Sequence, residues 1–196
     1  MNYDAWRFYL RGRLYDLLRQ PGRGEEAYRL ALAADPGHTG AAHSLAFRLA
    51  SHGRFDEALS WLGRVVRARP KSADAWYNKG YAHDQLHQTG DAIAAFQEAV
   101  KLDPNHDRAW YGLGLACIAA HRLEEAAEAF LKAGMLELTN PHPWYQLGLT
   151  YHALHEPDKV KGVVEHLNRY KRHYARKLIL DCERSDLAYL VEDLIV

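Results

Sequence analysis

Histidines are the residues of this sequence whose spacing could support chemistry. Twelve of them occur in 196 residues, and two pairs, His83 with His87 and His152 with His155, lie four and three positions apart. Residues at such spacings share one face of a helix and could bind a transition metal together. Neither pair has a neighbouring cysteine or carboxylate cluster that would complete a set of ligands. We therefore expect no metal site and no cofactor.

Three of these histidines have a simpler interpretation. His87, His121 and His155 are 34 residues apart, and Gly53 stands one further interval before His87. Glycine at this position indicates a left-handed backbone conformation, which histidine tolerates better than most residues. The spacing predicts that these histidines lie in turns.

Other catalytic groups are not arranged for chemistry. The sequence has no glycine-rich phosphate loop, no serine in a nucleophile turn, and no spaced carboxylate pair outside ordinary helix surfaces. Its two cysteines, Cys117 and Cys182, stand in unrelated surroundings without metal or redox spacing. We expect a protein that is not an enzyme.

A local run of basic residues has two interpretations. Glu165 is the main acidic residue near this run. Two aromatic residues, Tyr170 and Tyr174, lie in the same segment. We favour a solvated helix face, and the alternative is a positive face for an acidic partner, a phosphate-rich ligand or RNA. Two aromatic residues are few for a nucleic-acid surface, so nucleic acid is disfavoured. The basic residues are Lys159, Lys161, Arg169, Lys171, Arg172, Arg176 and Lys177.

The composition is that of an ordinary globular protein, with 48% apolar and 26% charged residues. Lysine plus arginine equals aspartate plus glutamate at 25 each, so no net field attracts nucleic acid or acidic lipid. Residues 1–10 lack the layout of a signal peptide, and the weakly polar residues 109–120 are too short to span a bilayer. We expect a cytoplasmic location and no membrane insertion.

A 34-residue period organises the whole sequence. Between its markers, apolar residues recur at steps of three and four, which is the helical period, and prolines end the helical segments. Each period therefore predicts two antiparallel helices, with the tryptophans in the core and a small residue where the two helices approach closely. The markers are Gly12, Ala46, Gly80, Gly114 and Gly148; Trp76, Trp110 and Trp144; Tyr77, Tyr111 and Tyr145; and Pro36, Pro70 and Pro104.

The run "WYGLGLA" from Trp110, followed by Ala126, Phe130 and Ala133, resembles the tetratricopeptide repeat (TPR). This resemblance implies an all-α fold, a right-handed superhelical solenoid of about five helix–turn–helix repeats with C-terminal capping helices. The expected solenoid covers residues 1–174, with repeats at 5–38, 39–72, 73–106, 107–140 and 141–174, and the capping helices cover 175–196. The first repeat departs from the family pattern at Arg11 and Gly24, and the fifth departs at Val160, Val164 and Leu167.

The segment after residue 174 leaves the period and has two interpretations. We favour capping helices over the last repeat, one of them with Ser185 as its N-cap. The alternative is that the apolar residues 187–196 dock on a partner or on a second copy of the chain, with Ile195 and Val196 in a swapped tail.

In a stacked array, the first helices of successive repeats line one concave groove. The helical period places a row of tyrosines and a second row of mainly apolar residues on this surface, where tyrosine would offer contact area at little entropic cost. The tyrosines could instead serve packing alone. The predicted partner-binding residues are Tyr9, Arg13, His43, Phe47, Tyr77, Asn78, Tyr81, Asp84, Arg108, Tyr111, Leu115, Tyr145 and Gln146.

Some members of the TPR family hold the carboxylate of a chaperone tail with a clamp of lysine, asparagine and arginine. Asn78 matches the central asparagine of the clamp, and Arg108 stands where lysine is usual. His43, Phe47 and Gly112 occupy the remaining positions and cannot supply the charges. We therefore expect no clamp of this type.

These observations favour a non-catalytic interaction module, an adaptor or assembly scaffold that binds a peptide segment of another protein in its groove. One alternative is a scaffold that assembles with copies of itself through its terminal repeats or C-terminal helices. Another alternative is a regulatory subunit of an enzyme or of an RNA-binding complex.

Overall fold

The computed structural model describes residues 2–191, which form ten α-helices and one short 3-10 helix, with no strand among them. The chain divides into two compact units, Met1–Leu102 and Asp103–Val196. The first unit contains α1 (Tyr3–Leu17), α2 (Pro21–Ala34), α3 (Thr39–Ser51), α4 (Phe55–Ala68), α5 (Ala73–Gln85) and α6 (Thr89–Leu102). The second contains α7 (Asp107–Ala119), α8 (Leu123–Leu136), α9 (Pro141–Ala153), α10 (Pro157–Asp181) and the 3-10 helix Ser185–Leu190.

Consecutive helices pack as pairs, so that each odd-numbered helix is the first helix of a pair and the next one is the second helix. The helices α3, α5, α7 and α9 begin at residues 39, 73, 107 and 141, where the predicted repeats begin. A side-chain acceptor caps the start of each of these helices. The Nδ1 atom of His38 accepts from the Ala41 amide at 3.1 Å, and Asn140 accepts from the His142 amide at 3.2 Å.

The turn between the helices of each pair contains one residue in the left-handed conformation. The φ angles are 55° at Arg19, 74° at Gly53, 57° at His87, 59° at His121 and 56° at His155, all at the 34-residue interval. This confirms the prediction that the three histidines lie in turns.

Glycines on the first helices let the paired helices approach closely. A Cβ atom on Gly12 would lie 2.5 Å from the Tyr28 ring, and one on Gly80 would lie 2.7 Å from the Phe96 ring. Gly114 has the same relation to the Phe130 ring, at 2.6 Å. The three rings are almost completely buried, so no larger residue fits at these glycines without displacing the core.

The tryptophans predicted to form the core lie at its edge: Trp76, Trp110 and Trp144 are half-buried, and Trp76 packs against the buried core of the first unit. The indole N–H groups of Trp76 and Trp110 donate at 2.9 Å to the carbonyls of Pro70 and Pro104, at the edge of each pair. An indole needs a partner for its N–H group, and the carbonyl at the repeat boundary satisfies this need. The fully buried aromatic residues belong to the second helices instead.

One departure of the first repeat from the family pattern, Gly24, accommodates a polar network. Asp16 on α1 accepts a hydrogen bond from the Tyr28 hydroxyl on α2 at 2.5 Å and forms an ion pair with Arg48 on α3. A Cβ atom on Gly24 would lie 2.7 Å from the Asp16 carboxylate, which explains glycine where alanine is usual.

The fifth pair ends differently from the others. The helix α10 continues to Asp181, beyond the predicted boundary at 174, and its backbone leaves the helical conformation at Lys171. Beyond this kink, Leu178 packs against Gly148 on α9, as Phe96 and Phe130 pack against their glycines.

The prediction that Ser185 caps the last helix was wrong, because the 3-10 helix follows Arg184 and has no side-chain cap. The suggested swapped tail at Ile195 and Val196 lies outside the described residues.

Candidate functional site

Two exposed aromatic side chains define the candidate site in the first unit. Phe47 on α3 is 61% exposed and Tyr81 on α5 is 41% exposed. They occupy equivalent positions 34 residues apart, on two first helices that contact each other directly. Arg13 occupies the equivalent position on α1 and is exposed, and the half-buried Asp84 lies one turn beyond Tyr81. We call Phe47 and Tyr81 the aromatic pair.

Among the tyrosines predicted to line the groove, Tyr9, Tyr77 and Tyr111 are half-buried and pack on aromatic rings of the second helices. The ring centroids of Tyr9 and Tyr28, and likewise of Tyr77 and Phe96, are 6.0 Å apart. In the second unit, the rings of Tyr111 and Phe130 are 5.7 Å apart. The repeated geometry shows that these tyrosines contribute to packing. The Tyr9 hydroxyl also accepts a hydrogen bond from Arg13 at 3.2 Å.

His43 and Asn78 contact each other beside the aromatic pair. The Asn78 amide nitrogen lies 3.0 Å from the His43 Nε2 atom. Burial lowers the pKa of His43, with Asp74 raising it and Arg69 lowering it. His43 is therefore held neutral at pH 7 and can accept the amide hydrogen. The Asn78 amide therefore contacts a side chain of the same protein, whereas the asparagine of a carboxylate clamp contacts the bound carboxylate.

The predicted site residues of the second unit are engaged within that unit. Tyr145 donates a hydrogen bond to Asp181 on α10, its ring lies 5.8 Å from that of Tyr174, and the Lys177 ammonium lies 4.7 Å from its centroid. Burial and the hydrogen bond to Asp181 raise the pKa of Tyr145 to about 12. The part of α10 beyond the kink therefore covers Tyr145.

Four other predicted site residues belong to the second unit, namely Arg108, Tyr111, Leu115 and Gln146. Tyr111 has Gln146 as a hydrogen-bonding neighbour, while burial raises the pKa of Tyr111. Leu115 is half-buried and Arg108 is exposed.

The reactive side chains of the described residues are not arranged to bind a metal ion, and both thiols are buried. No group of three or more histidine, cysteine or acidic side chains in this part of the chain is placed to hold a metal ion. Cys117 and Cys182 are buried, and burial raises the pKa of both thiols, which suppresses the reactive thiolate. Within residues 2–191, no helix is both long and apolar enough to cross a membrane.

Several cations of the basic run have partners inside the chain. Arg172 donates to the Asn168 side chain at 3.2 Å, and Arg176 donates to the Val191 carbonyl at 3.2 Å. Lys159 forms an ion pair with Glu156 and lies 5.0 Å from the Tyr151 ring centroid. The run is therefore largely used to hold α10 and the segment that follows it.

Sequence reasoning missed an exposed apolar surface on α1. Leu10, Leu14 and Leu17 are more than half exposed. A comparison of the repeats could have found this surface. The third repeat has the polar residues Asn78 and Gln85 at the positions of Leu10 and Leu17, so leucine at these positions is unusual.

Solved structures of other proteins share this fold. The crystal structure of YrrB, a TPR protein with an unusual peptide-binding site, matches with a TM-score of 0.79 and 20% identity over 92% of both chains. MamA from Desulfovibrio magneticus RS-1 matches with a TM-score of 0.76 and 23% identity over 94% of this chain and 98% of that one. PilF of Pseudomonas aeruginosa matches with a TM-score of 0.75 and 18% identity over 95% and 87%. At these identities the likeness establishes the fold.

Sequence comparison adds the family. No curated protein matches the chain. A family model described as the cilia and flagella-associated protein 70 middle TPR-like domain matches residues 42–171, which is more than half of the chain. The match spans most of the helix pairs described above and agrees with the TPR fold of the solved structures. The chain therefore belongs to this family of TPR-like domains.

Proposed function

We propose that the protein is a non-catalytic interaction scaffold that binds a peptide segment of a partner protein on the first helices of its Met1–Leu102 unit. The observation that carries this proposal is the aromatic pair, Phe47 and Tyr81, exposed at equivalent positions of neighbouring helices. Large exposed aromatic side chains are typical of binding surfaces because they bury much apolar area and have few rotatable bonds.

The surroundings of the aromatic pair suit a peptide. Arg13 and Asp84 offer one positive and one negative side chain on the same series of first helices. They could hold polar groups of a peptide whose apolar side chains cover Phe47 and Tyr81. The half-buried Tyr9 and Tyr77 support this surface by packing on Tyr28 and Phe96, and we assign them no direct contact with the peptide.

The fold comparison supports the same class of function. YrrB shares the fold and has a peptide-binding site. A catalytic role has no support among the described residues, because the thiols are buried and the histidines at the turns are held by backbone geometry. We therefore propose binding without chemistry.

The test uses peptides selected by display on the wild-type protein. We expect the Phe47→Ala, Tyr81→Ala variant to bind these peptides at least about tenfold more weakly, because two central aromatic contacts are removed. Fluorescence anisotropy measures the dissociation constants. The matched control is Met135→Ala, which removes a side chain that is 60% exposed in the other unit and should not change the affinity.

Circular dichroism must show that the variants remain folded, which we expect because the substituted side chains are exposed. Equal affinity of the double variant and the wild type would contradict the proposal. Loss of binding in Met135→Ala instead would move the site to the Asp103–Val196 unit.

A further inference from the structure

The first helix carries an apolar stripe that no other described helix covers. Tyr3, Leu10, Leu14 and Leu17 follow one another at seven, four and three residues, which places them on one face of α1. They are between 52% and 79% exposed. We call these four residues the α1 stripe. An exposed face of this kind is typical of a surface that binds another molecule.

Later repeats show what covers the equivalent face. Arg48, the α3 residue equivalent to Leu14, forms an ion pair with Asp16 on the preceding first helix. Asn78, the α5 residue equivalent to Leu10, contacts His43 on the preceding first helix. At these two positions, therefore, α3 and α5 each contact the preceding first helix of the same unit. On α1, leucines occupy the two positions that make these contacts.

The charges beside the α1 stripe indicate which kind of helix would fit. The exposed side chains of Arg7, Arg11 and Arg13 flank it, and Asp4 opposes them with an ion pair to Arg7 at 3.3 Å. The Asp16 carboxylate is engaged by Tyr28 and Arg48 and does not offset the arginines. The flanks are therefore positive. A second copy of α1 would bring arginines against arginines, which is unfavourable.

We propose that the α1 stripe docks an amphipathic helix of a partner protein whose apolar face is flanked by glutamate or aspartate. The leucines bury the apolar face, and the arginines pair with the acidic flanks. The docked helix lies along the face of α1 that carries Leu10 and Leu14. The α1 stripe shares no residue with the aromatic pair, and the variants below leave Arg13, which neighbours both surfaces, unchanged. Both surfaces can therefore be tested in one protein.

The test uses two fluorescein-labelled synthetic helical peptides with the same leucine stripe, one with glutamates and one with lysines on its flanks. We expect the glutamate peptide to bind the full-length protein at least about tenfold more tightly than the lysine peptide in fluorescence anisotropy. The Leu10→Ser, Leu14→Ser variant should lose the glutamate peptide. The Arg7→Glu, Arg11→Glu variant should reverse the preference in favour of the lysine peptide.

Two control variants define the site. Leu180→Ser changes an exposed leucine on α10, and Phe47→Ala with Tyr81→Ala removes the aromatic pair; neither should alter binding of the glutamate peptide. Equal binding of the two peptides, or unchanged binding by the Leu10→Ser, Leu14→Ser variant, would overturn the proposal. A concentration-dependent mass of the protein alone that Leu10→Ser, Leu14→Ser abolishes would also overturn it, because the occupant would then be a second copy.

Discussion

Three glycines on first helices, Gly12, Gly80 and Gly114, set how closely their helix pairs pack. The opposing ring leaves no space for a methyl group at any of them. By contrast, Gly63 in the middle of α4 has no heavy atom within 4 Å of the position that a Cβ would take. The two kinds of glycine therefore have opposite requirements, and the first unit contains both, at Gly80 and Gly63.

Replacing Gly80 by alanine should lower the free energy of unfolding by about 1–3 kcal/mol, because the new methyl group would displace the buried Phe96 ring. Gly63→Ala should raise it by about 0.5–1 kcal/mol, because alanine favours the helix and meets no neighbour. Urea denaturation followed by circular dichroism measures both. Similar effects of the two substitutions would show that the ring contact is unimportant.

His43 should make the stability depend on pH. Burial lowers its pKa below the ordinary histidine value, so the unfolded chain binds more protons below about pH 6.5 and stability falls as the solution becomes more acid. We expect His43→Gln to lose less stability than the wild type between about pH 7.5 and about pH 5.5. Parallel losses in urea titrations of both proteins would contradict this assignment.

At the scale of helices, the 34-residue period predicted the helix pairs and their turns well. Each repeat needs a small residue where its two helices approach closely and a left-handed residue where the chain turns back between them. The period placed the tryptophans in the core, against which Trp76 does pack, but it did not show that the Trp76 indole stays at the core's edge, where its N–H group reaches a backbone carbonyl. The structural role of the tyrosines was visible in the sequence. Tyr77 with Phe96 and Tyr111 with Phe130 share a spacing of 19 residues, which links them across one helix pair.

The period predicted where α9 begins and where the turn after it lies, but not how α10 packs on α9, because a residue from beyond the period completes this packing. Val164 occupies the position at which Phe96 and Phe130 stand in earlier repeats, and Leu178 fills the space beside Gly148. The kink at Lys171 makes this arrangement possible, and nothing at that position departs from an ordinary helix sequence.

Leu178→Ala should therefore lower the free energy of unfolding by about 2–5 kcal/mol, as expected for a fully buried leucine. Leu180→Ala is the matched control on the same helix, since that side chain is 75% exposed and its truncation should change little. Chemical denaturation of both variants measures the difference. A small effect at Leu178 would mean that the segment beyond the kink does not stabilise α9.

For the whole molecule, the balance of charge predicts its solution behaviour. Acidic and basic residues number 25 each, and the isoelectric point from sequence is about 7.2. Solubility at low salt should pass through a minimum near that pH and rise in mild acid as histidines gain charge. Precipitation by polyethylene glycol across the pH range measures this. A solubility that changes in one direction throughout would contradict the expectation.

The α1 stripe and the face of α9 that α10 covers at Tyr145 and Gly148 determine where further helix pairs could be added by design. A further helix pair added before Tyr3 would meet leucines already suited to packing against a helix. A pair added after α9 would first have to replace the segment beyond Lys171, together with the contacts of Leu178 and Asp181. The two faces therefore differ in what a designer would have to change, which is nothing at the leucines of α1 and the whole segment beyond Lys171 at α9.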